Sequence, residues 1–320
     1  MAEEIRLTGI IPDDNSGQRL DRVLAALFPA YSRTRLQQWI KQGQVRVDGD
    51  TLRARDAVRG GEQVVITALM ENRVSFEPQS IPLNIIFEDQ NLLVIDKPPG
   101  MVTHPAVGNW QGTLLNALLY HAPQLETIPR AGIVHRLDKN TSGLLVIAKS
   151  LETHKRLVDQ LKARAIKREY KAVVAGRLVA GGKVEGNIGR HPTDRKRVAV
   201  VIGGKPARTH YRVEQRFRAH SLLRVRLETG RTHQIRVHMA HIRHPIMGDP
   251  IYGGRSKLPV GASEMLIDAL RGFKRQALHA TRLALTHPYA SRPMSWEAPM
   301  PADMQELINA LKADAKAHSA

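Results

Sequence analysis

Asp138 stands in the stretch HRLDKNTSGLLVIAK (135–149) as a lone carboxylate among cations, with Arg136 and Lys139 around it and His135 close by. Positive charge within a few ångströms favours the ionised form of an acid. A carboxylate held that way suits chemistry on a polyanion. A surface Asp making ordinary loop salt bridges has the same surroundings, because structural ion-pair networks also crowd charges together. What lies behind it tells more: Leu144 to Ala148 is an unbroken apolar run, of the kind a buried strand needs. The acid therefore sits at the mouth of a rigid element.

A second dense segment, ETGRTHQIRVHMAHIRHPIMGDPIYG (228–253), turns at Gly230, presents Arg231 and then alternates as a strand would. Its histidines, 233, 238, 241 and 244, raise the question of a metal. Hard divalent ions want carboxylates, and only Asp249 is near, so structural hydrogen bonding or phosphate contact is the better expectation and no metal is expected.

Several catalytic classes are excluded. Neither Gly-Lys pair (182–183, 204–205) is followed by Ser or Thr, so there is no phosphate-binding P-loop. GxSxG and HExxH do not occur, and the double glycines at 60, 181, 203 and 253 read as turns, not as a dinucleotide fingerprint. The absence of cysteine rules out disulfides, thiolate-bound zinc and a thiol nucleophile. No cofactor is expected.

The 320 residues carry 48 Lys and Arg against 30 acids, a net charge of +18 that points to a nucleic acid or an anionic membrane. No apolar run reaches the ~18 residues of a membrane span, and MAEEIRLTGI is not a signal peptide. The expectation is a cytoplasmic, RNA- or DNA-facing protein. Aromatic residues are only 4%, too few for affinity built on rows of stacked bases, so contacts from Arg and Lys to phosphates should dominate.

The positioning elements fall into five stretches. Residues 1–16 read as a leading segment. In 17–75, Leu20, Val23, Leu24 and Leu27 recur at helical spacing. Ser32 is placed to cap a second helix built on Leu36, Trp39 and Ile40 and ended by Gly43, and VRVDGDTL (45–52) reads as a hairpin around Asp-Gly. Arg19, Arg33, Arg35, Lys41, Arg46, Arg53 and Arg55 give this unit a basic face. Residues 76–84, with Pro78 and Pro82, read as a linker. Residues 85–312 hold strands of mixed length interrupted by helices (151–165 and 302–312), which predicts α+β architecture rather than a doubly wound parallel sheet. Residues 313–320 read as a polar tail.

The unit GQRLD…YSRTRLQQWIKQGQVRVDG resembles the S4 RNA-binding module. HRLDKNTSGLLVIAK, LETGRTHQIRVHMA, DKPPGMVTHP (96–105), REYKAVV and RQALHATRLALTHP (275–288) together resemble the RluA-type pseudouridine synthases, in the same order and over roughly residues 17–310. One position, Asn140, differs from the Asp that relatives often carry there.

The resemblance implies a mainly antiparallel, mixed-sheet catalytic domain with a central cleft. It also implies isomerisation of uridine to pseudouridine in 23S rRNA, free or in a pre-50S or 50S particle, at the stem-loop bridging the subunits near the decoding centre; monomer is the default state. No metal, redox partner or energy source is implied. Asp138 then matches the catalytic carboxylate acting on the ribose, as nucleophile or as base. Arg231 matches the arginine paired with it, and Tyr170 the tyrosine that stacks on uracil and could help remove the C5 proton. Leu278 matches the apolar wall, and Arg136 the arginine that fills the space vacated by a flipped base. Lys139 joins the S4-like cations as an RNA contact. Two other readings stand beside this one. The first is a non-catalytic S4-type RNA-binding or ribosome-assembly protein. The second is a synthase of the same build acting at other 23S positions.

Overall fold

The computed structural model describes residues 3–29, 31, 33–70, 76–106, 108–194, 197–254 and 258–318. The chain divides into two compact units, Met1–Ser75 and Phe76–Ala320.

In the first unit, strands β1 (Glu3–Ile10), β2 (Val45–Val47) and β3 (Gln63–Met70) form an antiparallel sheet in the order β1-β3-β2, with helices α1 (Leu20–Leu27) and α2 (Arg33–Lys41) packed on it. The helical spacing of Leu20, Val23 and Leu24 on α1 and of Leu36, Trp39 and Ile40 on α2 puts these side chains into one core with Val64 and Ile66. The leading segment is not separate from this unit: β1 pairs with β3 over eight registers. The expected hairpin is only half present. Asp48 (φ 49°) and Gly49 (φ 87°) make the turn, but the return arm gives one bridge, Val47 to Asp50, and β2 takes β3 as its partner instead. Asp56 explains the departure, since its carboxylate accepts the Arg53 N–H at 2.8 Å and turns the chain away. The proposed cap, Ser32, lies outside the described residues.

The second unit is built on one ten-stranded sheet. Its strands are β4 (Ile85–Glu88), β5 (Leu92–Lys97), β6 (Ser142–Ala148), β7 (Lys167–Ala175), β8 (Gly182–Arg190), β9 (Val198–Val200), β10 (Lys205–Arg216), β11 (His220–Leu227), β12 (Leu278–Thr286) and β13 (Pro293–Glu297). Their order is β4-β5-β6-β12-β7-β11-β10-β8-β9, with β13 on β12; every pairing is antiparallel except β12 with β6. The architecture is mixed α+β, as expected. Helices α3 (Leu114–His121), α4 (Leu151–Lys162), α5 (Gln234–His241), α6 (Glu264–Gly272) and α7 (Ala302–Ala317) cover it.

The apolar run at 144–148 is explained by burial on both faces. Leu145 and Ile147 face the core that includes α3, α6 and α7, while Leu144 and Val146 face the core that includes Leu157 of α4. Gly143 (φ 114°) is required where β6 meets β12, because a Cβ there would stand 2.3 Å from the Ala280 carbonyl oxygen.

Three expectations about elements are overturned. Residues 234–241 are helix, not strand. Residues Gln234 through Met239 are all buried, so no polar face marks a helical period, and the Ile-Arg-Val-His alternation imitates a strand. Residues 76–84, expected to link two units, belong to the second and form an ordered strap on it. The Gln79 N–H donates to the Asn116 carbonyl at 3.0 Å, the Asn116 amide to the Glu77 carbonyl at 2.8 Å, and Phe76 and Leu83 pack on the main core. The polar tail is helical through Ala317, held by buried Asp314, which accepts from the Arg218 guanidinium at 3.0 Å. Among the described residues, no helix is long and apolar enough to cross a membrane.

Candidate active site

The loop bearing Asp138 enters β6 and is fixed from behind by two other sequence motifs. From DKPPGMVTHP, the Thr103 hydroxyl donates to the Leu137 carbonyl at 2.8 Å, and the Gly100 N–H and the Lys97 ammonium donate to the Lys139 carbonyl at 2.9 and 3.1 Å. From the segment before β12, Arg275 donates to the Asn140 carbonyl at 3.3 Å and the Gln276 amide to the Thr141 hydroxyl at 3.0 Å. The loop closes on itself through the Thr141 N–H and the Asp138 carbonyl at 3.0 Å. With its backbone tied this way, the carboxylate has little freedom.

Lys97 is fully buried and gives its three protons to the carbonyls of Pro98, Met101 and Lys139 at 2.7, 3.0 and 3.1 Å. Burial lowers its pKa to about 7, nearby Arg275 pushes the same way, and Asp138 opposes them.

The side chain of Asp138 is 17% exposed at the wall of a cleft of about 970 Å³. Its cation is Arg236. That guanidinium donates through Nη1 to Asp138 Oδ2 at 3.0 Å, and through Nε and Nη2 to both oxygens of Asp249 at 2.7 and 2.9 Å. Burial by itself would lower the Arg236 pKa, but the hydrogen bonds and charge of Asp249 and Asp138 hold it above the ordinary arginine value. Asp249 is anchored in turn by the Ile251 and Tyr252 N–H groups, at 2.9 and 3.0 Å. His233, with a left-handed backbone (φ 55°) at the start of α5, brings Nε2 to 3.8 Å from Asp138 Oδ1 and shares a hydrogen bond of 2.9 Å between Nδ1 and the Tyr252 hydroxyl. Burial holds its pKa below the usual histidine value against the pull of Asp138.

This corrects the pairing expected of Arg231. Arg231 is exposed at the cleft wall, and its Nε donates to the Pro206 carbonyl at 3.2 Å. The resemblance had been carried onto the wrong arginine of the motif: the turn of α5 brings Arg236, five residues on, inward to the carboxylates. Arg236, Asp249, Lys97 and His233 were not picked out as site residues. The one legible signal was Asp249, the lone acid beside the histidine cluster.

The other expected residues are placed as follows. Tyr170 on β7 and Leu278 on β12 are both buried and line the cleft with Asp138, brought alongside by the β7–β12 register. Burial pushes the Tyr170 phenol above its ordinary value of 10, so near neutrality it offers a ring and an O–H rather than a phenolate base. Arg136 is exposed on the same wall; Lys139 does not line the cleft and gives the site its carbonyl. Burial holds His104 at about 4 and His135 at about 3, helped by Arg130 and Arg136 in the first case and Arg168 in the second, so both are neutral. Of the four histidines considered for metal, His238 meets the Thr209 hydroxyl at 2.9 Å and His244 the Ala175 carbonyl at 2.8 Å; among the described residues no cluster is suited to holding a metal ion.

In the first unit, Arg19 and Arg33 both close on buried Asp21, at 3.1 and 2.9 Å. The Arg35 guanidinium lies 6.0 Å from the centre of the Trp39 ring, and Lys41 and Arg53 are exposed.

Residues 91–241 match the family model described as RNA pseudouridylate synthase, and residues 18–64 match the S4 domain. The chain is 54% identical to ribosomal large subunit pseudouridine synthase D of Xanthomonas campestris pv. campestris, over 95% of this chain and 92% of that one. To the protein of the same name from Escherichia coli K12 it is 53% identical, over 99% and 98%. Among solved structures, human RNA pseudouridylate synthase domain containing 4 superposes with a TM-score of 0.58 at 25% identity, covering 72% of this chain and 93% of that one.

Proposed function

The chain belongs to the RNA pseudouridylate synthase family and is an isomerase of RNA uridines, and we propose that it acts on large-subunit ribosomal RNA, at the 23S stem-loop bridging the subunits, with Asp138 as the catalytic carboxylate. The observation that carries the assignment of Asp138 is its single partly exposed oxygen pair on the cleft wall, fixed by a guanidinium that is itself locked to a second, buried carboxylate. The names of the two bacterial relatives described above support the choice of RNA.

In this reading the target uridine is flipped from its stem, at an unstacking cost of a few kcal/mol, and Arg136 occupies the space it leaves. The carboxylate acts on the ribose as the N1–C1′ bond breaks. Uracil turns within the cleft, C5 bonds to C1′, the C5 proton departs and N1, freed from the ribose, takes one up, so atoms balance without a co-reactant. Tyr170 and Leu278 hold the ring while it turns. The raised phenol pKa favours this stacking role over removal of the C5 proton.

The test is tritium release from C5-labelled uridine in rRNA transcripts, with wild type and Asp138→Asn. Wild type should release label, and the variant should release none while binding RNA with near-normal affinity. Equal release from the two would remove Asp138 from the chemistry. No release from wild type on any ribosomal RNA would leave a binding or assembly protein.

A further inference from the structure

Adjoining the catalytic cleft is a second groove of about 620 Å³, with Arg164, Arg168, Leu227 and Glu228 shared between the two walls. Its cations outnumber its acids: Arg164, Lys167, Arg168, Arg212, Arg224 and Arg226 face it, against the single carboxylate of Glu228.

The sheet register makes this arrangement costly. Lys171, Arg224 and Arg212 lie directly opposite one another across β7, β11 and β10, and Arg226 lies opposite His210. Like charges placed opposite on adjacent strands destabilise a sheet. Glu214 relieves part of the first row by pairing with both Lys171 and Arg224, and Glu169 lies 3.5 Å from Arg226. Glu228 pairs with Arg164 and His210; among the described residues Lys167 and Arg212 have no acidic partner within ion-pair distance, and the buried Nε of Arg168 has no hydrogen-bond acceptor. A row of cations kept against this repulsion, with an unpartnered buried guanidinium nitrogen at its edge, is arranged for an external polyanion.

We propose that this groove carries the backbone phosphates of the RNA strand flanking the reactive uridine, with Lys167 and Arg212 as its principal phosphate contacts. The proposal rests on the RNA-isomerase reading above but is independent of which uridine reacts. The strand leaves the cleft past the shared Arg164 and Arg168 and continues over β11 and β10. These cations add affinity and register and take no part in bond breaking, because phosphate contacts position a nucleic acid without reading its bases.

The experiment compares wild type, the double variant Lys167→Gln/Arg212→Gln, and Lys312→Gln on the exposed side of α7 as a charge control. Two RNAs are used: a ribosomal stem-loop with arms on both sides of the target, and a strand trimmed to the uridine and its immediate neighbours. Anisotropy gives binding without turnover, so this proposal and the catalytic reading fail separately. For the stem-loop the double variant should bind roughly tenfold more weakly and raise KM with kcat unchanged. Its log–log salt slope should fall by about 1.4, from ~0.7 for each lost phosphate contact. For the trimmed strand it should match wild type, and Lys312→Gln should match on both. Arg212→Lys, which keeps the charge, should recover most of the affinity in the Lys167 wild-type background. Unchanged stem-loop affinity and salt slope in the double variant would overturn the proposal, as would an equal loss on both RNAs.

Discussion

Arg236 divides one guanidinium between two carboxylates of unequal exposure, and that division sets what each can do. From Arg236, Asp249 receives two hydrogen bonds and is sealed; Asp138 receives one and keeps oxygen surface toward the cleft. A lysine is a point charge and cannot reproduce the planar fork. Arg236→Lys should therefore lower kcat roughly 100-fold, the scale on which a misplacement near 1 Å acts, while Arg231→Lys should turn over at near the wild-type rate. Single-turnover kinetics on a labelled transcript checks both, and a normal rate for Arg236→Lys would show that the clamp is dispensable. Arg236→Ala goes further, leaving the charge on buried Asp249 without its partner, a loss of about 3–5 kcal/mol of stability that urea titration would read.

At the scale of elements, buried Asp21 does for the first unit what Asp249 does for the second. It stands on α1 and receives hydrogen bonds from Arg19, from Arg33 and Gln37 on α2, tying the two helices together. Burial works against the ionised form, yet these donors hold its pKa at about 2, below the ordinary aspartate value of 3.8. A depressed carboxylate pKa gives stability that is fully present above the unfolded value and is lost as pH falls through the folded one. The α1–α2 contact should therefore weaken between pH 4 and about 2. Asp21→Asn should cost on the order of 1–2 kcal/mol at pH 7, discounted because both arginines are about half exposed, and progressively less as pH falls through 4 toward and below about 2. Denaturation followed at the α1 and α2 amides measures this, and a cost that does not change with pH would remove the charge from the explanation.

At the scale of the molecule, two units with separate cores share a chain of net charge +18. The ten-stranded sheet takes all its strands from residues after 75, and each core is built from residues of its own unit. The remaining 76–320 should fold, should keep its single-turnover rate at saturating enzyme, and should lose RNA affinity and discrimination among uridines. Circular dichroism with the tritium assay tests the separation, and an unfolded 76–320 would contradict it.

Charge, the lack of cysteine and the order of motifs were properties of the chain alone, and they led to the expectation of an RNA-facing α+β protein; the resemblance those motifs carry named Asp138, Tyr170 and Leu278, which the fold brings to one cleft. The long apolar run behind Asp138 was also readable, because a strand buried on both faces needs no particular partner to show itself. What the tertiary structure decided was which arginine meets the carboxylate. The sequence reading offered only Arg231; the packing of α5, buried along nearly its whole length and so without a legible period, turns Arg236 inward instead. The same holds for Lys97, whose role lies in three carbonyls brought to it by chain neighbours near and far. A sequence records which groups are available; the distances between groups remote in the chain exist only after the sheet has closed.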